Sequence, residues 1–205
     1  ASVSNADVFA ILRAQNLTGE TLYVSTLLNQ RVVRIRIPDA RPVEAVLQAI
    51  SADVRIIIAQ PHYFYFANGA AKALPVPQYA PAKLKLTEAH KIAQGKRVKI
   101  AVIDTQVDTT HPAFGGGITE TFDALGESKP VPENHGTAIA AILGARAELT
   151  GVAPGANVLA IRAFASNAKG QPQSYTLAIL KALDFAVASG ARVVNMSFAG
   201  PSDPI

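Results

Sequence analysis

The 205-residue sequence contains no cysteine. That excludes a disulfide framework and any thiolate metal site. It suits an oxidising compartment without requiring one. Charge is also scarce: 17% of residues are Asp, Glu, Lys or Arg, whereas 49% are hydrophobic. Such a balance is too apolar for a disordered chain. No apolar run reaches the roughly 18 residues that a membrane-spanning helix needs. The segment Ala1-Ser2-Val3-Ser4-Asn5 has neither a basic nor an apolar signal region. A signal peptide was therefore removed or never existed, which leaves the compartment open. No Gly-x-Gly-x-x-Gly follows a strand pattern, and no Gly-Lys-Ser/Thr loop occurs. Gly115-Gly116-Gly117 lies in a loop pattern and opens no helix. A nucleotide-binding domain is thereby excluded.

The net charge of +4 is unevenly spread. Residues 1–99 carry 13 basic against 6 acidic side chains, and residues 100–205 carry 6 against 9. The basic residues, such as Arg31, Arg34, Arg36, Lys83 and Lys85, are scattered rather than clustered with aromatics. That pattern argues against a nucleic-acid arm. It fits a solvated surface, or a basic front half docking on an acidic back half.

The hydrophobic pattern divides the chain into three parts. Residues 1–68 read as a small α/β sandwich. Val8 to Leu17 has helical spacing. Thr21 to Leu28 and Arg31 to Ile37 read as strands joined by Asn29-Gln30, with Val33, Ile35 and Ile37 alternating with arginines. Pro42 to Ile50 reads as a helix, Val54 to Ala59 as a strand, and Tyr63 to Phe66 as an aromatic run beyond Pro61. Residues 69–95 read as a linker, with Pro75, Pro77 and Pro81, followed by a short helix, Thr87 to Gln94. From residue 96 the pattern changes. Val98 to Ile103, Val158 to Ile161 and Val193 to Met196 are apolar runs of the kind found in strands buried on both faces. Helical stretches lie between them, from His135 to Leu143 and from a Ser174 N-cap to Gly190. Strand–helix–strand alternation implies parallel strands with right-handed crossovers. Sites in such sheets lie beyond the C-terminal strand ends.

Two residues stand at such ends. Asp104 closes the first buried strand, and His135 opens a helix. Taken singly, Asp104 reads as a turn or helix cap, and His135 as a polar first-turn residue. A helix N-terminus disfavours imidazolium and so favours a neutral imidazole, which can act as a base. Together they form the orienting carboxylate and the base of a nucleophilic triad. The chain order Asp then His leaves the nucleophile to come last. His111, with Asp104 and Asp108, also has the composition of a metal site, but its place before Pro112 in a turn reads as structural. His62 and His90 read as ordinary surface or interface histidines.

The segment Val98–Phe114, with Ile103-Asp104-Thr105 at its centre, resembles the aspartate motif of the subtilisin-like serine proteases (subtilases). His135-Gly136-Thr137 is similar to their histidine motif. Gly151–Ala156 followed by Val158–Arg162, and Asn195–Pro201, resemble two further blocks in the same order. The resemblance implies a partial doubly wound parallel α/β sheet of subtilisin type over residues 96–205. It implies that Asp104 orients the imidazole and that His135 is general base and acid. It implies that Ser197, Phe198 and Ala199 pair with an extended peptide substrate, and that Gly170 and Gln171, within Lys169–Pro172, lie on the peptide's other side. The first segment resembles an inhibitory pro-domain whose tail threads the cleft as an intramolecular contact. No cofactor, metal, nucleic acid or membrane enters this expectation, and the family favours a secreted or periplasmic location.

Departures from the family pattern accompany the match. The Gly-Thr-Ser motif carrying the nucleophile is missing, as is the oxyanion-hole Asn, so a Ser-bearing C-terminal segment is expected as partner. That segment is either a separate chain produced by nicking or a part cut away. Gln106 stands where glycine is usual, which is expected to strain the turn beside Asp104. Ala138 stands where many members have a second His. Ala113 replaces a calcium-ligating Asp, and between Leu143 and Gly151 only Glu148 offers a hard oxygen ligand, so that calcium site is expected to be missing. The alternative expectation is an inactive, subtilase-like peptide-binding module.

Overall fold

The computed structural model describes residues 3–67, 78–126 and 130–202. The expected linker around Gly69, Pro75 and Pro77 lies largely outside them. The chain divides into two compact units. One holds the residues up to Tyr63 with Pro201 and Ser202, and the other runs from Phe64 to Gly200.

The first unit contains helix α1 (Asn5–Ala14), strands β1 (Thr18–Ser25) and β2 (Gln30–Arg36), and helix α2 (Val43–Ser51). Helix α1 starts with a capping box. Ser4 accepts from the Asp7 backbone N–H, and the Asp7 carboxylate accepts from the Ser4 backbone N–H. Strands β1 and β2 form an antiparallel hairpin whose turn places Asn29 in the left-handed region, at φ 53°. Leu12, Leu17, Val46 and Ile50 form a small core, with Val33 and Ile35 packed against it.

The strand expected at Val54 to Ala59 does not form. Asp53 turns the chain there, its carboxylate accepting from the Arg55 backbone N–H at 3.0 Å and its carbonyl from the Ile56 N–H. Val54 is 97% exposed. An aliphatic run without alternation, held in a turn and ending near Pro61, has no strand to pair with. The first unit thus has two strands rather than the expected three-strand pattern.

The second unit begins with β3 (Phe64–Ala67), followed by short helices α3 (Ala80–Lys83) and α4 (Leu86–Ile92) in place of the single expected helix. Then come β4 (Lys99–Asp104), β5 (Ile118–Asp123), α5 (Asn134–Gly144), β6 (Asn157–Arg162), β7 (Ala165–Ser166), β8 (Pro172–Tyr175), α6 (Thr176–Ala188), β9 (Val193–Asn195) and β10 (Phe198–Ala199). Four strands make a parallel sheet in the order β5-β6-β4-β9. Ala101, Val102 and Ile103 on β4, and Val158, Leu159 and Ile161 on β6, are fully buried. This is the burial that their continuous apolar runs imply. Strand β5 exposes Thr119 and Thr121 on alternate positions and, among the described residues, pairs only with β6, as an edge strand does. Phe122 on β5 stacks on Phe185 of α6, with centroids 4.0 Å apart.

A second sheet, antiparallel, has the order β10-β3-β8-β7. Ser174 is not the cap of α6. It lies on β8 at 1% exposure, and α6 starts after Tyr175 without a side-chain cap.

Candidate active site

The site is built where β4 ends and α5 begins. Asp104 is 1% exposed at the C-terminal end of β4, and His135 lies in the first turn of α5. His135 Nδ1 donates to Asp104 Oδ1 at 2.6 Å. A carboxylate accepting at Nδ1 fixes the tautomer and leaves Nε2 as the basic nitrogen of a neutral ring. The Thr105 backbone N–H donates to the same oxygen at 2.7 Å. Burial pushes the Asp104 carboxyl above its ordinary range, and the hydrogen bonds from His135 and Thr105 pull it part of the way back. Its other oxygen, Oδ2, is buried without a hydrogen-bond partner among the described residues.

The loop after β4 is stitched to the start of α5 by three more polar links. The Gly136 N–H donates to Thr105 Oγ1 at 2.9 Å. The Asp108 N–H donates to Thr137 Oγ1 at 2.9 Å, and the Glu133 N–H donates to the Gln106 carbonyl at 2.8 Å. A Cβ on Gly136 would stand 2.4 Å from the Thr105 carbonyl oxygen, so only glycine permits this approach. The expected strain at Gln106 is absent. Its φ is not in the positive region, and its side chain donates to the Val107 carbonyl at 3.2 Å. No glycine is needed at that position because the turn does not use a left-handed conformation there.

Beside His135 lies a cleft of about 660 Å³, lined by Ala67, Glu133, His135, Ser166, Gly170 and Gln171 among others. Strand β3 runs along it. Phe198 and Ala199 of β10 pair with Ala67 and Phe66 on one side. On the other side β3 pairs with Gln173, Ser174 and Tyr175 of β8. Gly170 and Gln171 thus line the cleft, while the pairing strand lies just downstream of the expected segment. Ser197 does not pair with β3; its hydroxyl donates to Asn195 Oδ1. Tyr65 packs edge-on against Phe198, with centroids 6.0 Å apart. A Cβ on Gly200 would meet the Tyr65 ring at 2.2 Å, so Gly200 makes room for it.

Two other serines are engaged with carboxylates, whereas the buried Ser174 hydroxyl has no hydrogen-bond partner among the described residues. Ser166 Oγ donates to Glu133 Oε2 at 2.6 Å, and Ser189 Oγ to Glu120. His111 Nδ1 accepts from the Ala113 N–H and serves its own turn. Among the described residues, no group of three or more His, Asp or Glu is placed to hold a metal ion, and no helix is long and apolar enough to cross a membrane. The sequence pattern assigned no site role to Thr105, Thr137, Glu133, Gln173 or Tyr175, and it marked Ser174 only as a helix cap. Glu133, two residues before His135, was visible as an acid beside a candidate base; the others signal nothing until the fold places them.

A family model described as the subtilase family matches residues 95–204. The chain belongs to the subtilase family. It is 33% identical over 164 residues to a thermophilic serine proteinase of Bacillus sp. (strain AK1), covering 76% of this chain and 40% of that protein. It is 32% identical over 130 residues to thermitase of Thermoactinomyces vulgaris, covering 60% of this chain and 45% of thermitase. Among solved structures, the prenylagaramide maturation protease PagA is 29% identical with a TM-score of 0.44, over 54% of this chain and 38% of that one. The chain spans less than half the length of these relatives.

Proposed function

We propose that this chain comprises an inhibitory pro-segment, the first unit with β3, and the N-terminal part of the catalytic domain of a subtilisin-type serine endopeptidase. The observation that carries the proposal is the 2.6 Å bond from His135 Nδ1 to Asp104 Oδ1 at the C-terminal edge of a parallel sheet, beside a cleft that holds an extended strand. The nucleophile is a serine outside residues 1–205, since no Gly-Thr-Ser motif occurs within them and the Ser166 hydroxyl that lines the cleft donates to Glu133. His135 Nε2 takes the proton of that hydroxyl as its oxygen attacks the substrate carbonyl. The resulting imidazolium is stabilised by Asp104 and then gives the proton to the departing amine. Water repeats the sequence on the acyl-enzyme and frees the acid. Substrate pairs with β8 and β10 as an added strand, in the place β3 occupies. β3 therefore inhibits by competing for the same backbone groups. Family membership favours export, although one relative is named the major intracellular serine protease of Bacillus subtilis (strain 168).

The test is hydrolysis of extended peptides by the full protein. D104N is expected to lower kcat about ten-thousandfold, through loss of the productive His135 tautomer. A kcat unchanged by D104N would sink the triad assignment.

A further inference from the structure

Glu133 differs from most carboxylates of the molecule. Asp7, Glu20, Asp39, Asp53, Glu88, Glu120 and Asp123 each sit against a lysine or arginine. None of the described ion pairs includes Glu133. Its Oε2 takes a hydrogen bond from the neutral Ser166 hydroxyl, which leaves its charge uncompensated. Among the described residues, Glu133 is also the one acidic side chain lining the cleft beside His135, and no described lysine or arginine lines it. The strand that runs through the cleft offers this wall Ala67, a side chain of a single carbon. Ala67 lies on the same face of β3 as Tyr65, half-buried, two residues further on. A cleft of about 660 Å³ whose carboxylate bonds a neutral hydroxyl rather than a described cation, with a one-carbon occupant, is matched to a longer, cationic side chain.

We propose that Glu133 and Ser166 form a cation-accepting subsite, so that the protein selects extended peptides with Lys or Arg at the position Ala67 holds. This assignment rests on the peptidase proposal above. The aliphatic stem of such a residue lies along Pro132 at the cleft wall while its charged end reaches Glu133. An N⁺–H···O⁻ bond to a partly buried carboxylate is stronger than a neutral one. The self strand, carrying alanine there, forgoes this bond. It occupies the cleft without using its strongest electrostatic feature, and a basic substrate displaces it more readily than a neutral one.

Two measurements test the subsite. In the first, A67K and the neutral A67M are made in the wild-type and E133Q backgrounds, and exchange of the backbone amides of residues 64–67 is followed. A67K is expected to exchange about threefold more slowly than A67M with Glu133 present, and equally with E133Q. Equal rates in the wild-type background, or the same slowing with E133Q, would overturn the subsite. This comparison needs no turnover. In the second, the full protein is given extended peptides with lysine or norleucine at that position. The lysine-to-norleucine ratio of kcat/KM, taken within each protein, is expected to exceed one and to fall toward one with E133Q. A ratio of one in the wild type would overturn the proposal even where A67K fails to fold. If no peptide is cut but the amide-exchange difference holds, the subsite stands and the peptidase reading falls.

Discussion

Gly136 makes the closest glycine approach to backbone between β4 and α5, and it shows how one missing carbon fixes the geometry of the Asp104–His135 pair. Its backbone lies against the Thr105 carbonyl, and its N–H donates to the Thr105 hydroxyl. G136A forces the start of α5 away from β4, because a Cβ would meet backbone rather than a movable side chain. The His135–Asp104 bond lengthens with it. A displacement of this size is expected to lower kcat/KM of the full protein about a hundredfold. Overpacking against backbone adds a stability loss of about 1–3 kcal/mol, read from the denaturant midpoint. Retention of full activity in a folded G136A protein would show that the close approach does not set the geometry. At this scale the two site residues were legible from the sequence, since Asp104 ends a buried run and His135 precedes Gly-Thr at a helix start. Thr105 and Thr137 were not. Their hydroxyls act across 31 and 29 positions of sequence, and the motifs that contain them do not show which groups they meet.

Elements behaved according to how much of their pattern was local. Strands β4 and β6 were legible because complete burial demands an unbroken apolar run. The segment after α2 has a similar composition yet forms a turn, because Asp53 captures the Arg55 and Ile56 N–H groups. β3 is a strand only because β8 and β10 supply partners from more than 100 residues away. Ser174 has the residue type of a cap, but the pairing of β8 with β3 draws it into the sheet instead. Helix α1, by contrast, carries its own start signal. Ser4 and Asp7 satisfy each other's backbone N–H groups at an exposed end. S4A is expected to destabilise the first unit by about 1 kcal/mol, measured by chemical denaturation. No change would mean the box is not populated in solution.

At the scale of the molecule, the first unit is expected to be the more acid-sensitive. Its core is small, and four carboxylates in it, Asp7, Glu20, Asp39 and Asp53, are held below their ordinary range, by arginine partners or, for Asp7, chiefly by Ser4. Hydrogen bonds from Arg55 bring Asp53 down to about 2 from 3.8. A group whose folded pKa is depressed contributes stability above its unfolded value, and that contribution is lost as pH falls through the folded one. For Asp53 the loss runs from pH 3.8 down to about 2. In the second unit Glu120 and Asp108 are lowered similarly, but Asp104 is raised, which favours the folded state as acid protonates it. Amide exchange across this range is therefore expected to show residues 3–63 losing protection before β4 and β6. Simultaneous loss would contradict the assignment.

Peptidase activity depends on whether His135, oriented by Asp104, activates a serine. The direct measurement is fluorophosphonate labelling of the full protein after residues 1–67 are removed by proteolysis, read by intact mass on every chain present. We expect one label on a serine beyond residue 205, absent in H135A. A Ser-bearing chain that remains unlabelled with the cleft cleared, or a label that persists in H135A, would contradict it.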